Sequence, residues 1–117
     1  MEYIIEFQDK YNIDSRYKLS QSVKRSQPGR VPVIIDRRSE KDPTLDKNKY
    51  LVPRDISVAK LIDEIRRSTE IDSKHALFFF SQGMLLTPSR LIDQVYEKCK
   101  DRDGFLYIIY TRENTFG

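Results

Sequence analysis

Three features of the chain predict an α+β fold. Short runs rich in aromatic and β-branched residues, clearest at 31–35 and 105–110, read as strands. Other stretches carry apolar residues at helical spacing, as in Val58, Leu61, Ile62 and Ile65. Turn signals rich in Gly, Pro and Asp separate the two kinds of segment, and no repeat or low-complexity linker interrupts them.

The elements follow in order. A helical turn is expected over residues 3–10. Asp14 or Ser15 can cap a second helix running to about Ser26, where Gln27-Pro28-Gly29 stops it. Residues 31–35 form a strand, with Pro32 tolerated near a strand start or at an edge. Asp42-Pro43 marks a turn, and residues 50–52 form a second strand closed by Pro53. Ser57 caps the helix that carries Val58, Leu61, Ile62 and Ile65. Residues 76–80 are a third strand, followed by a turn at Gln82-Gly83. Residues 88–100 form a short helix with Leu91, Ile92, Val95 and Cys99 on one stripe. A turn at 101–104 leads into the last strand.

With the N-terminal helices set aside, the order is hairpin, helix, strand, short helix, strand. That order suits a β-grasp domain, in which a mixed sheet wraps one face around a helix. The first and last strands, continuously apolar, belong at its centre. The N-terminal helices then pack on the opposite face. A ferredoxin-like domain is the main structural alternative, but it wants a helix between its first two strands. The expected organisation is one compact domain with a helical part at 1–29, a core at 30–110 and a tail at 111–117.

Composition fits a single globular domain of 117 residues, with 33% charged and 38% hydrophobic residues. The lone cysteine, Cys99, forbids an intramolecular disulfide and fits a reducing compartment. The N-terminus is no secretory signal, and no apolar run is long enough to span a bilayer. The net charge of +3 is unevenly placed. Arg16, Lys18, Lys24, Arg25 and Arg30 fall in a stretch without acids, and Lys47, Lys49 and Arg54 form a second group. Nucleic acid is not the expected partner for these groups, because the aromatics sit in apolar runs rather than among the basics. A solvated face or an acidic peptide partner fits them better.

Catalytic chemistry is sparse. His75, the only histidine, has no serine or cysteine near it in sequence and reads as a turn residue. Cys99 reads as a packing residue. Asp101 and Asp103 flank Arg102 before Gly104, which is turn chemistry. No phosphate loop or metal-ligand spacing is present, so an enzyme, a cofactor or a metal centre is not expected.

The end of the chain suggests another chemistry. After the strand at 105–110, residues 111–115 are polar, and Phe116-Gly117 closes the chain. Glycine lacks a Cβ, so a terminal glycine can enter a narrow enzyme channel in backbone conformations closed to other residues. Ubiquitin-like modifiers present their reactive carboxylate in this way.

Four further motifs carry a resemblance: Arg30-Val-Pro-Val-Ile34, Lys49-Tyr-Leu-Val-Pro53, Asp103-Gly-Phe-Leu-Tyr107 and Glu113-Asn-Thr-Phe-Gly117. From about Arg16 to Gly117 the chain resembles the autophagy-related ubiquitin-like modifiers, the family of GABARAP, the microtubule-associated light-chain-three proteins and yeast autophagy-related protein eight. The resemblance implies a ubiquitin-like β-grasp with two additional N-terminal helices. It implies that Gly117 is joined to phosphatidylethanolamine, the only covalent group expected. The implied partners are activating and conjugating enzymes, a processing and delipidating cysteine protease, and cargo receptors. The implied location is the cytoplasm, and the autophagosome or vesicle membrane once lipidated.

The resemblance also implies a groove for acidic peptides with an aromatic-x-x-aliphatic core, added as a β-strand beside residues 33–36. Its aromatic pocket maps to Val23, Pro32, Ile34, Lys49, Leu51 and Phe105. Its aliphatic pocket maps to Tyr50, Val52, Pro53, Ile56, Leu61 and Ile65. Arg30, Lys47, Lys49 and Arg66 would meet the peptide's acids. Read from sequence alone, Val23, Ile34, Leu51 and Leu61 are equally core residues, whereas Tyr50 beside the basics reads as an exposed rim. The chain departs from the family at Leu19, at Ser68 and at Leu86-Thr87, and matches poorly over its first fifteen residues. A modifier of protein lysines, a non-conjugated peptide adaptor and an RNA-binding domain are the other functional classes considered.

Overall fold

A five-stranded mixed sheet separates two hydrophobic layers. The computed structural model describes residues 6–69, 71 and 75–112. The elements are α1 (Glu6–Lys10), α2 (Ile13–Ser26), β1 (Arg30–Arg37), β2 (Lys49–Pro53), α3 (Val58–Ser68), β3 (Phe78–Ser81), β4 (Met84–Leu85), α4 (Ile92–Cys99) and β5 (Leu106–Thr111). The strand order is β2-β1-β5-β3-β4. β1 and β5 run parallel, and the other pairs are antiparallel. This is the expected α+β architecture, with the first and last strands inside the sheet.

β1 and β5 are apolar on both faces because both faces are covered. Val33, Ile35, Leu106, Ile108 and Tyr110 join the larger core with Val58, Leu61 and Ile65 of α3 and Ile92, Val95 and Tyr96 of α4. Ile34, Phe105 and Tyr107 pack on the other side with Phe7 of α1. Pro32 is compatible with β1 for a definite reason. Ile35 N–H bonds to Asn48 O at 2.9 Å, so alternation turns the Pro32 nitrogen away from β2 and towards β5. Pairing with β5 begins only at Val33, so no ladder bond is lost there.

Several local expectations need correction. The α2 cap is Asn12, whose side chain accepts from Ser15 N–H at 2.9 Å, rather than Asp14 or Ser15. Asp14 instead sits in the first turn, where a carboxylate complements the helix dipole. α4 begins at Ile92, not at Pro88. The segment before it bonds to the loop entering α3, through Val58 N–H to Arg90 O and Ile92 N–H to Ile56 O. Leu91 is therefore held outside the stripe and is 41% exposed, while Tyr96 fills the core in its place. The third strand covers Phe78–Ser81, leaving Ala76 and Leu77 outside it. It turns through Gln82 (φ 51°) and Gly83 (φ 77°) into β4, a two-residue strand with too little pattern to read from sequence.

The helical N-terminal part is anchored by a polar lock. Arg16 donates to Asp103 Oδ2 at 2.7 Å, and Ser20 Oγ donates to the Asp103 carbonyl at 2.5 Å. Asp103 also accepts from Phe105 N–H at 2.8 Å and from the Tyr107 hydroxyl. The same turn is tied to α4 by Tyr96 OH donating to Gly104 O at 2.7 Å.

Candidate functional site

The open edge of the sheet beside the basic residues is β2, not β1. Residues 33–36, expected as an edge, are paired on one side with β2 and on the other with β5. The continuous apolar run at 31–35 already argues for an inner strand, so the edge that the resemblance implied there belongs to its hairpin partner. The backbone groups that an incoming strand could use are therefore those of β2. Asn48, Tyr50 and Val52 face β1, so by alternation Lys49 and Leu51 turn their N–H and C=O groups outward. Arg30 covers part of that edge, donating to Leu51 O at 3.0 Å. Pro53, next in the outward series, offers no N–H and blunts the far end.

A cavity of about 350 Å³ flanks this edge on the α3 side. Of the residues assigned to the aliphatic pocket, Tyr50, Val52, Pro53, Leu61 and Ile65 line it, and Arg30 and Lys47, assigned to the peptide's acids, line it as well. Ile56 does not line it and packs against the larger core instead. Leu51, assigned to the aromatic pocket, also lines this cavity. Arg66 stands apart, with its guanidinium donating to His75 O at 2.8 Å. Glu64 and Ser68 complete the wall; no motif marked Glu64 in the sequence, and it places a carboxylate among the basics.

Tyr50 is half-buried rather than an exposed rim. Its hydroxyl donates to Lys47 O at 2.9 Å, and Lys47 Nζ lies 5.2 Å from the ring centre. Burial, followed by the charge of Asp46, raises its pKa above the ordinary tyrosine value. Tyr50 thus presents an aromatic wall backed by a cation, a surface suited to apolar contact flanked by acids.

The residues assigned to the aromatic pocket do not line one cavity: Leu51 lines the α3-side cavity, and Lys49 lines the one on the other side of β2. Pro32 pairs with Leu51, and Ile34 pairs with Lys49. Ile34 and Phe105 share the smaller core cluster, and Val23 is partly buried on α2. The open cavity here measures about 290 Å³, and of the assigned residues only Lys49 lines it. Its other walls are Phe7, Tyr11, Ser15, Arg16 and Leu19. Phe7 covers the floor edge-on to Phe105, with ring centres 5.1 Å apart, and Lys49 Nζ lies 6.0 Å from the Phe7 ring. The sequence offered no signal for Phe7, because a five-residue helix is too short to show a period. Gly117 lies outside the described residues. Among the described residues, no group of histidine, cysteine and acidic side chains could hold a metal ion, and no helix is long and apolar enough to cross a membrane.

A β-grasp sheet with helices added before it and an open edge flanked by two cavities defines a ubiquitin-like protein. The family described as "Autophagy protein Atg8 ubiquitin like" matches residues 15–117. Autophagy-related protein 8 of Dictyostelium discoideum is 39% identical over 119 residues, spanning 100% of this chain and 98% of that protein. Autophagy-related protein 8h of Arabidopsis thaliana is 40% identical over 112 residues, spanning 95% of this chain and 94% of that protein. The crystal structure of Trypanosoma brucei ATG8 superposes with a TM-score of 0.90 at 30% identity, covering 98% of this chain and 100% of that one. The chain belongs to the Atg8 family of autophagy-related ubiquitin-like proteins, which are modifiers rather than enzymes.

Proposed function

We propose that this protein is joined through Gly117 to phosphatidylethanolamine and then recruits receptors to the autophagosome membrane. The observation that carries the conjugation reading is the Glu113-Asn-Thr-Phe-Gly117 motif after the central strand β5 of an Atg8-family chain. The glycine carboxylate is first adenylated by ATP, with release of pyrophosphate. A cysteine thiolate of the activating enzyme displaces AMP to give a thioester, which passes to a conjugating-enzyme cysteine. The lipid amine attacks the thioester carbonyl, the carbon–sulfur bond breaks, and the thiol leaves as the amide forms. The modifier supplies the acyl group and a docking surface, so it needs no catalytic side chain. Two acyl chains arrive with one amide bond, and two chains anchor stably where one is marginal. A cysteine protease of the cascade removes any residues after the glycine and later cleaves the lipid amide.

Receptor binding uses the β2 edge. An aromatic-x-x-aliphatic segment pairs with the outward groups of Lys49 and Leu51, and its aliphatic anchor enters the cavity beside Tyr50. Lys47, Lys49 and Arg30 receive the peptide's acids. The Gly117 reading is tested by variants in the reconstituted cascade. Gly117→Ala slows thioester formation sharply, and deletion of Gly117 abolishes membrane conjugation. A gel shift that resists phospholipase would instead assign attachment to protein lysines.

A further inference from the structure

A second basic site lies where β5 ends, away from the β2 edge. The turn after β1 and the last residues of β5 enclose a cavity of about 270 Å³. Arg38, Lys41, His75 and Arg112 line it, each from a different stretch of chain except the first two, which share the turn. Asp42 is the only carboxylate among its described lining residues. That carboxylate is already engaged. Its Oδ1 accepts from Arg112 N–H at 2.9 Å and from Thr111 Oγ1 at 3.3 Å, and its Oδ2 accepts from Ser39 Oγ at 3.4 Å. Asp42 is buried, so its charge serves to fasten the turn to β5.

The turn itself is preformed. Arg37 donates to Asp42 O at 3.2 Å, Asp42 N–H bonds to Ser39 O at 3.1 Å, and Arg38 N–H bonds to Tyr110 O at 2.9 Å. Arg112 donates through its guanidinium to Lys41 O. Two arginines and a lysine thus share one small opening with one internally bonded acid. Arg112 Nε also lies 3.9 Å from Asp42 Oδ1, and Lys41 adds a second positive charge beside that pair, so among the described lining residues Lys41 and Arg112 outnumber the one carboxylate even with Arg38 and His75 left out.

We infer that this cavity binds a phosphate group. A tetrahedral anion can accept from donors converging from several directions, whereas a single planar carboxylate is met by one arginine fork. The phosphate can come from an anionic lipid headgroup or from a free phosphate ester, and the chemistry of recognition is the same. The inference does not rest on conjugation and is tested on the unconjugated full chain.

Backbone amide shifts are followed by NMR as inorganic phosphate or glycerol phosphate is added at constant ionic strength. Saturable shifts are expected at Lys41, His75, Thr111 and Arg112. Lys41→Glu, at an exposed position, weakens binding about fivefold or more, while Lys60→Glu on α3 changes it by less than about twofold. Flotation with vesicles of phosphatidylcholine containing about a third phosphatidylserine separates the sources. Loss of flotation in Lys41→Glu assigns a lipid source, and saturable phosphate binding without flotation assigns a free one. Unsaturable shifts over every basic surface, or equal weakening by both variants, would overturn the inference and leave only diffuse attraction.

Discussion

The Arg16 guanidinium stands 2.7 Å from the Asp103 carboxylate, and Asp103 is wholly buried. The pair joins the second N-terminal helix to the turn that launches the central strand β5. It makes the N-terminal helical part a fixture of the fold rather than an appendage. Burial pushes the Arg16 pKa down, but its bonds and charge interactions with Tyr107 and Asp103 outweigh this and raise it.

Arg16→Gln strands a buried carboxylate. Such a loss costs roughly 3–5 kcal/mol, and the lower end applies here because Asp103 keeps the Phe105 N–H and the Tyr107 hydroxyl. Urea denaturation measures it as a fall in midpoint at unchanged slope. An unchanged midpoint would mean that α2 is held without this pair.

Alkaline pH should destabilise the fold through its tyrosines. Burial, then the charges of Asp36 and Asp42, push Tyr110 up to about 12. Burial and the bond to Asp103 push Tyr107 up as well. The folded state therefore holds these protons more tightly than the unfolded one, whose tyrosines titrate near about 10. The stabilisation is complete below about pH 10 and is lost as pH rises through the folded values. Stability measured between those limits falls with pH, and Tyr110→Phe flattens the slope. A wild-type slope of zero there would contradict the assignment.

Gly104 adopts φ 88°, and an added Cβ would collide with Ser20 Oγ. Gly104→Ala should therefore cost about 1–3 kcal/mol from backbone strain alone, and more from the clash. Ser20→Ala in the same chain relieves only the clash. Gly29→Ala meets nothing within 4 Å and should be close to neutral, so the contrast in melting temperature isolates the cause.

The architecture was legible where local chemistry is unambiguous. Ser57 caps α3 as its hydroxyl predicts, accepting from Lys60 N–H at 3.1 Å. The uninterrupted apolar runs placed β1 and β5 inside the sheet. Which strand lies beside them is not legible, because pairing across the sheet is a long-range property; the edge at residues 33–36 is what the resemblance implies, and it conflicts with the apolar run that places β1 inside. Five residues assigned to the aliphatic pocket line one cavity because they come from two well-patterned elements, β2 and α3. On the other side, Phe7 and Tyr11 line the cavity from a short helix and its connection, where no sequence period exists to mark them.

The open edge gives a specific test of peptide docking. Leu51→Pro removes one outward N–H while leaving the ladder to β1 intact, which an edge strand tolerates. Calorimetric titration with an acidic aromatic-x-x-aliphatic peptide should show binding lost in this variant and weakened in Tyr50→Ala and Leu51→Ala. Lys49→Glu should weaken binding more at low salt than at high salt, since screening shortens the reach of its charge. Unchanged affinity in Tyr50→Ala and Leu51→Ala, with folding intact, would remove this surface as the docking site.

The central claim is that Gly117 becomes the acyl partner of a phospholipid amine. The direct measurement is intact-mass and fragment mass spectrometry after incubation with the family's activating and conjugating enzymes, ATP and phosphatidylethanolamine liposomes. The account predicts one added phosphatidylethanolamine, less one water, located on Gly117, and phospholipase D should release phosphatidic acid and leave ethanolamine in amide linkage on Gly117. An unmodified chain despite active enzymes, or a lipid adduct that survives deletion of Gly117, would contradict it.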